Sequence, residues 1–182
     1  MDPQELLASI WETLRAATTQ RTGFTLATLA TVTAAGQPRA RSVIVRDFAT
    51  DPERVYFATH ADSDKVREMR ARPAVALAFY DAANSAQLRI EGQAQLVEDP
   101  AERHRVWDTL APHSRELYAS ITPPGAALET AEAPDARTAF ERFAWISIRL
   151  DRLDWLDLAA EPHQRWQFHR TGQNWTGHPV VP

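Results

Sequence analysis

Runs of β-favouring residues recur at short intervals along the chain without helices regularly inserted between them, and this pattern limits the fold more than any other feature. Residues 24–33 read Phe-Thr-Leu-Ala-Thr-Leu-Ala-Thr-Val-Thr, residues 35–38 form an Ala-Gly-Gln-Pro turn, and residues 41–46 return as the second strand of a hairpin. Further strands are expected over 55–59, 74–80, 87–97, 143–148, 153–158 and 165–169. A parallel α/β sheet needs a helix after nearly every strand, so the pattern predicts a mainly β fold, an antiparallel barrel with a few flanking helices.

The helices announce themselves by their starts. Asp2 before Pro3 is an N-cap followed by proline at the first helical position, and Leu6, Leu7, Ile10, Trp11 and Leu14 share one face, which predicts a helix over about 3–20. Ser63 is placed to cap a short helix over 64–72 that Pro73 ends, and Asp99-Pro100 opens another, carrying Val106, Trp107 and Leu110. The Pro-, Ala- and Gly-rich stretch 122–136 has no periodicity and reads as a long ordered loop or a mobile excursion. The chain is expected to form one domain, 1–182.

Composition removes several classes of chemistry. A net charge of -4 with no basic block argues against nucleic acid or an anionic membrane as partner, and the acidic start with no long apolar run points to a cytoplasmic protein. No cysteine is present, which excludes thiolate nucleophiles and thiolate metal sites. The six glycines fall in neither a Gly-x-Gly-x-x-Gly nor a Gly-Lys-Thr cluster, and no serine sits in a Gly-x-Ser-x-Gly elbow. His163 and His169 would lie about 20 Å apart on one strand, too far to share a metal. No metal site is expected and no catalytic residue stands out, so redox or transfer chemistry has to be lent by a cofactor.

Of the twenty basic residues nineteen are arginine, and the only lysine is Lys65. Thr59, Ser63 and Lys65 fall where a strand runs into a helix, whose free N–H groups suit a phosphate that Arg41 could clasp bidentately. Taken alone, the same residues also suit a solvated strand-to-helix turn.

In order and spacing, Arg41-Ser42-Val43-Ile44-Val45-Arg46, then Tyr56-Phe57-Ala58-Thr59, Ser63-Asp64-Lys65 and Gln87-Leu88-Arg89-Ile90-Glu91-Gly92 resemble the FMN-binding segments of the pyridoxamine 5'-phosphate oxidase family. Trp155, with Arg165 ten residues later in His163-Gln164-Arg165, is similar to the element that ends that family. The resemblance spans roughly 24–182. It implies a split β-barrel homodimer, with the N-terminal helix and the strands of about 143–182 completing a flavin site at the subunit interface. By it Arg41, Thr59, Ser63 and Lys65 hold the FMN phosphate and ribityl end, and Ser42, Val43, Ile44 and Arg46 line the flavin. Gln87 bonds the ring edge, while Trp155 and Arg165 reach over from the other subunit. Without the resemblance Gln87 is equally a solvent-facing strand residue and Trp155 a plain core residue.

The departures concern the substrate side. Asp64 stands where the family usually has a basic residue, and Arg46 where it has a lysine, which keeps the charge but not the geometry. Glu161 occupies the position of an arginine two residues before the histidine, and the residues gripping the substrate phosphate fall near Trp107, Ala111 and Arg115. Arg46, Arg115 and His163 are left to meet a small-molecule substrate. The resemblance therefore implies an FMN-dependent oxidoreductase acting on something other than pyridoxamine phosphate. The alternatives are a genuine pyridoxamine phosphate oxidase or a flavin, haem or deazaflavin binding module without turnover.

Overall fold

The computed structural model describes residues 2–182. Helix α1 (Pro3–Thr19) starts as its sequence demands: Asp2 Oδ1 accepts hydrogen bonds from the amides of Gln4 (2.6 Å) and Glu5 (3.4 Å). Its apolar face, Leu6, Leu7, Ile10, Leu14 and Ala17, is buried in the main core. Trp11 packs on Phe48 and Trp175 at ring distances of 5.4 and 5.6 Å.

The strands are β1 (Leu26–Val32), β2 (Pro38–Ile44), β3 (Asp47–Thr50), β4 (Glu53–His60), β5 (Ala74–Asp81), β6 (Ala86–Leu96), β7 (Phe143–Asp157), β8 (Gln164–Thr171) and β9 (Asn174–Val180). They form one antiparallel sheet in the order β2-β1-β5-β6-β7-β4-β3, with β8 pairing β7 and β9. The sheet curls until the end of β2 meets β4, where the Arg46 amide donates to the Tyr56 carbonyl over 2.8 Å. This is the split barrel that the resemblance implied. Ala27, Leu29, Val75, Leu77, Phe79, Leu88, Ile90, Ile146 and Ile148 fill it, each at the alternate position that the period of two requires. Helix α2 (Asp64–Ala71) adds Val66 and Met69 to the same core. No helix of the described residues is long and apolar enough to cross a membrane.

Several elements differ from the sequence expectation. Residues 143–157 form one strand rather than two. Leu150 and Leu153 are both fully buried although three residues apart, a phase break that looks like a strand end in sequence. The structure resolves it with a β-bulge: Glu91 faces Arg152 and Gly92 faces Leu150, leaving Asp151 as the extra residue. Gly92 is required there, because a Cβ would stand 2.1 Å from the Arg149 carbonyl oxygen. Strands β3 and β9 are also additional, as is a short helix, α4 (Pro112–Glu116), after α3 (Pro100–Thr109). His163 precedes β8, and His169 instead stacks on His178 of β9 at 5.9 Å.

The outer face of β4 and β7 carries a second core. Phe143 and Trp145, with Tyr118, Ala119 and Ala139, are buried there under Trp107, Leu110 and Phe140. Two 3-10 turns, Leu128–Thr130 and Ala136–Arg142, organise much of the long connection. The Arg142 guanidinium binds the carbonyls of Tyr118, Ala119 and Asp135, tying that connection to the segment after α4. Periodicity in 122–136 is absent because side-chain anchoring, not a repeating apolar face, holds it.

Candidate functional site

The end of β4, the start of α2 and the end of β2 converge on one cleft. Lys65 Nζ donates to Thr59 Oγ1 over 3.0 Å. Ser63, the residue before α2, is only 2% exposed, yet its hydroxyl neither caps the helix nor finds any partner among the described residues. A buried unsatisfied hydroxyl costs roughly 1–3 kcal/mol, so in a strand-to-helix turn it marks a place for a polar ligand. The first amides of α2 are unpaired by helix geometry and carry the positive end of its dipole. Burial, and then the charge of Arg41, push the Lys65 ammonium below its ordinary pKa, a penalty that a bound anion relieves. These residues fit a phosphomonoester.

Arg41 is engaged within the chain. Its guanidinium binds Thr31 Oγ1 and the Glu68 carboxylate, at 2.6 Å for the ion pair. Burial pushes the Glu68 carboxyl up, but hydrogen bonds from Thr31 and Arg41 prevail and hold it below its usual value. Arg41 thus clamps α2 to the β1–β2 hairpin and fixes the turn bearing Ser63 and Lys65. Asp64, expected to weaken an anion site, is ion-paired with Arg67 on the exposed side of α2.

The cleft continues away from Lys65. Its inner part, about 340 Å³, is lined by Ser42, Val43, Ile44 and Arg46 of the β2 end, by Thr59 and Lys65, and by Leu110, Ser114, Leu117 and Tyr118. An outer part of about 520 Å³ shares Leu26, Ile44 and Arg46 and adds Arg21 and Tyr80. Ser114 and Tyr118 are wall residues that the sequence reading missed, because α4 carries no apolar repeat to betray it. Burial pushes the Tyr118 hydroxyl up to about 12, against the opposing charge of Arg46. It therefore stays protonated at neutral pH.

Register explains where the remaining expected residues lie. Ile44 pairs with Leu26; Thr28 pairs with Ala78, which puts Leu26 and Tyr80, each two residues away, on the same face; Tyr80 then pairs with Gln87, Gln87 with Leu156, Leu156 with Arg165, and Arg165 with Val180. Cross-strand partners share a face, so these side chains form a row along the outside of the sheet. At about 4.8 Å per strand, Gln87 lies roughly 14 Å and Arg165 roughly 24 Å from Ile44 along it. Trp155 alternates to the other face. It pairs with Leu88, stacks on Phe24 at 5.8 Å and packs against the core, so Leu156, not Trp155, stands in line with Gln87 and Arg165. Arg165 is held by Asp154, which also binds Arg89 and Gln167. Burial pushes the Asp154 carboxyl up, and these three hydrogen bonds outweigh it to leave it below the usual carboxylate range.

The other substrate-side candidates lie outside the cleft within one chain. Arg115 donates to the Asp108 carbonyl and lies 5.5 Å from the centre of the Trp107 ring, while Glu161 and His163 sit exposed in the turn before β8.

The model of the pyridoxamine 5'-phosphate oxidase family matches residues 13–151. A pyridoxine/pyridoxamine 5'-phosphate oxidase of Myxococcus xanthus is 31% identical over 85% of this chain and 80% of its own length. The corresponding protein of Nostoc punctiforme is 36% identical over 60% of this chain, a match that spans 50% of that protein. A dihydrophenazinedicarboxylate synthase of Pseudomonas chlororaphis is 27% identical over 85% of this chain and 73% of its own length. Among solved structures, a pyridoxamine 5'-phosphate oxidase-related, FMN binding protein of Nostoc punctiforme superposes with a TM-score of 0.80 at 23% identity, covering 100% of this chain and 98% of that one.

Proposed function

This chain belongs to the pyridoxamine 5'-phosphate oxidase family, and from that premise we propose that it is an FMN-binding oxidoreductase, working as a homodimer on a substrate other than pyridoxamine phosphate. The observation that carries the cofactor reading is the unpartnered Ser63 hydroxyl beside Thr59 and Lys65 at the start of α2. Bound there, FMN would supply the capacity to take up a hydride from a substrate. The chain's own part is binding and orientation. Ser63, Lys65, Thr59 and the first amides of α2 hold the phosphate, with Arg41 bracing them. Val43 and Ile44 offer an apolar wall to the ring, and Tyr118 supplies a hydroxyl that donates rather than abstracts a proton. Family membership leaves the substrate open, since relatives of comparable similarity carry the names of two different activities.

Purified protein is expected to take up FMN, seen as flavin absorbance. Changing Lys65 to Ala should weaken FMN binding by about 1.5–3 kcal/mol, the range for hydrogen bonds to a charged group. Unchanged affinity in that variant, measured by titration, would remove Lys65 from the site.

The row from Ile44 to Val180 supports the dimer. Leu26, Ile44 and Tyr80 are 52, 42 and 55% exposed, an apolar strip next to the cleft that a partner would cover. A twofold dimer that laid the far part of one row against the near end of the other would bring Gln87 and Arg165 of the partner subunit to the cleft. Light scattering is expected to give the mass of a dimer; a monomer that still holds FMN would refute this arrangement.

A further inference from the structure

A buried histidine joins the two sides of the inner cleft. His60 ends β4, and the period of two sets it on the outer face of that strand with Tyr56 and Ala58, which pack on the second core. Its imidazole bridges two segments. A carbonyl only accepts, so Nε2 donates to the Ser120 carbonyl over 3.0 Å, and Nδ1 accepts from the Asp62 amide over 3.2 Å. The His60 carbonyl accepts from the Ser63 amide at 3.1 Å, and the Ala61 amide donates to the Arg142 carbonyl at 2.7 Å. One side chain therefore shapes the turn 60–63, which presents Ser63 and leads to Lys65, and also grips the chain two residues after Tyr118. Helix α4, just ahead of Tyr118, has five residues and none buried, so the 117–121 segment is held from outside. Arg142 holds the Tyr118 and Ala119 carbonyls, and His60 holds that of Ser120.

We propose that His60 is a positioning residue that couples the two sides of the inner cleft, so that filling the phosphate cradle steadies the segment bearing Tyr118. A phosphate group gives the Ser63 hydroxyl the partner it lacks and fixes the turn, and the turn fixes the imidazole through the Asp62 amide. A fixed ring holds the Ser120 carbonyl, and with it Tyr118, which lines the same cavity as Lys65. The phosphate end thereby sets the order of the wall that a substrate meets. By linkage the effect is reciprocal, and an ordered wall strengthens phosphate binding by the same factor. The inference rests on the FMN reading in identifying the phosphate as the cofactor's.

The test is amide hydrogen exchange over residues 117–121 with and without saturating FMN. In the parent protein FMN is expected to slow exchange there about fivefold, the low end for coupled sites. In H60N the shorter side chain still accepts from the Asp62 amide but falls short of Ser120, so the slowing should disappear while FMN affinity drops by no more than the same factor. In H60Q, whose amide nitrogen reaches about as far as Nε2, the slowing should persist. A histidine that only supports the fold would raise exchange in H60N equally with and without FMN. That result overturns the inference, as does a slowing that survives H60N because FMN touches the segment directly. If H60N does not fold, H60Q decides, and loss of the slowing there refutes the coupling. Should the protein bind no FMN, the cofactor reading fails, and exchange over 117–121 in H60N still decides whether His60 holds the segment: a rate equal to the parent's shows that it does not.

Discussion

Loaded with FMN, the protein is expected to oxidise pyridoxamine 5'-phosphate and pyridoxine 5'-phosphate about a thousandfold less efficiently than a site built for them. The resemblance places two phosphate or substrate contacts at Ala111 and Glu161. Ala111 has no polar side-chain atom, and Glu161 brings a negative charge where an arginine is expected. Arg115 cannot stand in from its present position, because it is turned to the Asp108 carbonyl and the Trp107 ring. Ser114 does line the cleft and restores one hydroxyl, but a neutral hydrogen bond is worth about half a charge-assisted one. Arg21 and Arg46 add charge from exposed side chains, where a single ion pair contributes roughly 0.2–1 kcal/mol. Two missing charge-assisted contacts at roughly 2 kcal/mol each correspond to about three orders of magnitude in transition-state stabilisation. Steady-state assays of pyridoxal phosphate formation decide the matter. A catalytic efficiency of about 10⁴ M⁻¹s⁻¹ or higher on either vitamer would defeat the prediction.

Phe143→Ala is expected to cost about 3–5 kcal/mol of folding stability. Phe143 opens β7, is fully buried, and is the hub of the second core. Its ring meets Trp107 at 5.5 Å and Tyr118 at 5.3 Å edge to face, and Phe140 and Trp145 at 6.3 and 6.5 Å. Truncation would therefore lose the transfer free energy of the ring, several aromatic contacts, and the packing around the cavity left behind. The same substitution should loosen Tyr118 and Leu117, since the α4 segment is held to the sheet through this cluster. Urea unfolding of the variant beside the parent measures the cost, and a loss under about 1 kcal/mol would show that the outer core contributes little.

Much of this architecture was legible in the residues. Asp2-Pro3 set the start of α1, the alternation in 24–33 and 41–46 set the first hairpin, and the absence of strand-helix alternation set the antiparallel class. These features are local, arising from cap geometry, proline stereochemistry and a period-two apolar pattern, and each can be read within about ten residues. The place of Ser63 and Lys65 at the start of α2 was legible for the same reason, because the signals that open a helix are local.

Tertiary structure alone decided the rest. The bulge at Asp151 joins what reads as two strands, and its cause lies sixty residues away in the close approach of Gly92 to the Arg149 carbonyl. Beyond that bulge, pairing with β6 and β8 determines the face of each β7 residue, so Leu156 joins the row of Gln87 and Arg165 while Trp155 turns to Phe24. The role of Arg41 depends on Thr31 and Glu68, which only folding brings to its side. The cleft itself is assembled from the β1–β2 hairpin, the start of α2 and a helix with no apolar repeat. Residue type determines what a side chain is able to bind; register and packing determine which other side chains it meets, and those depend on contacts far apart in sequence.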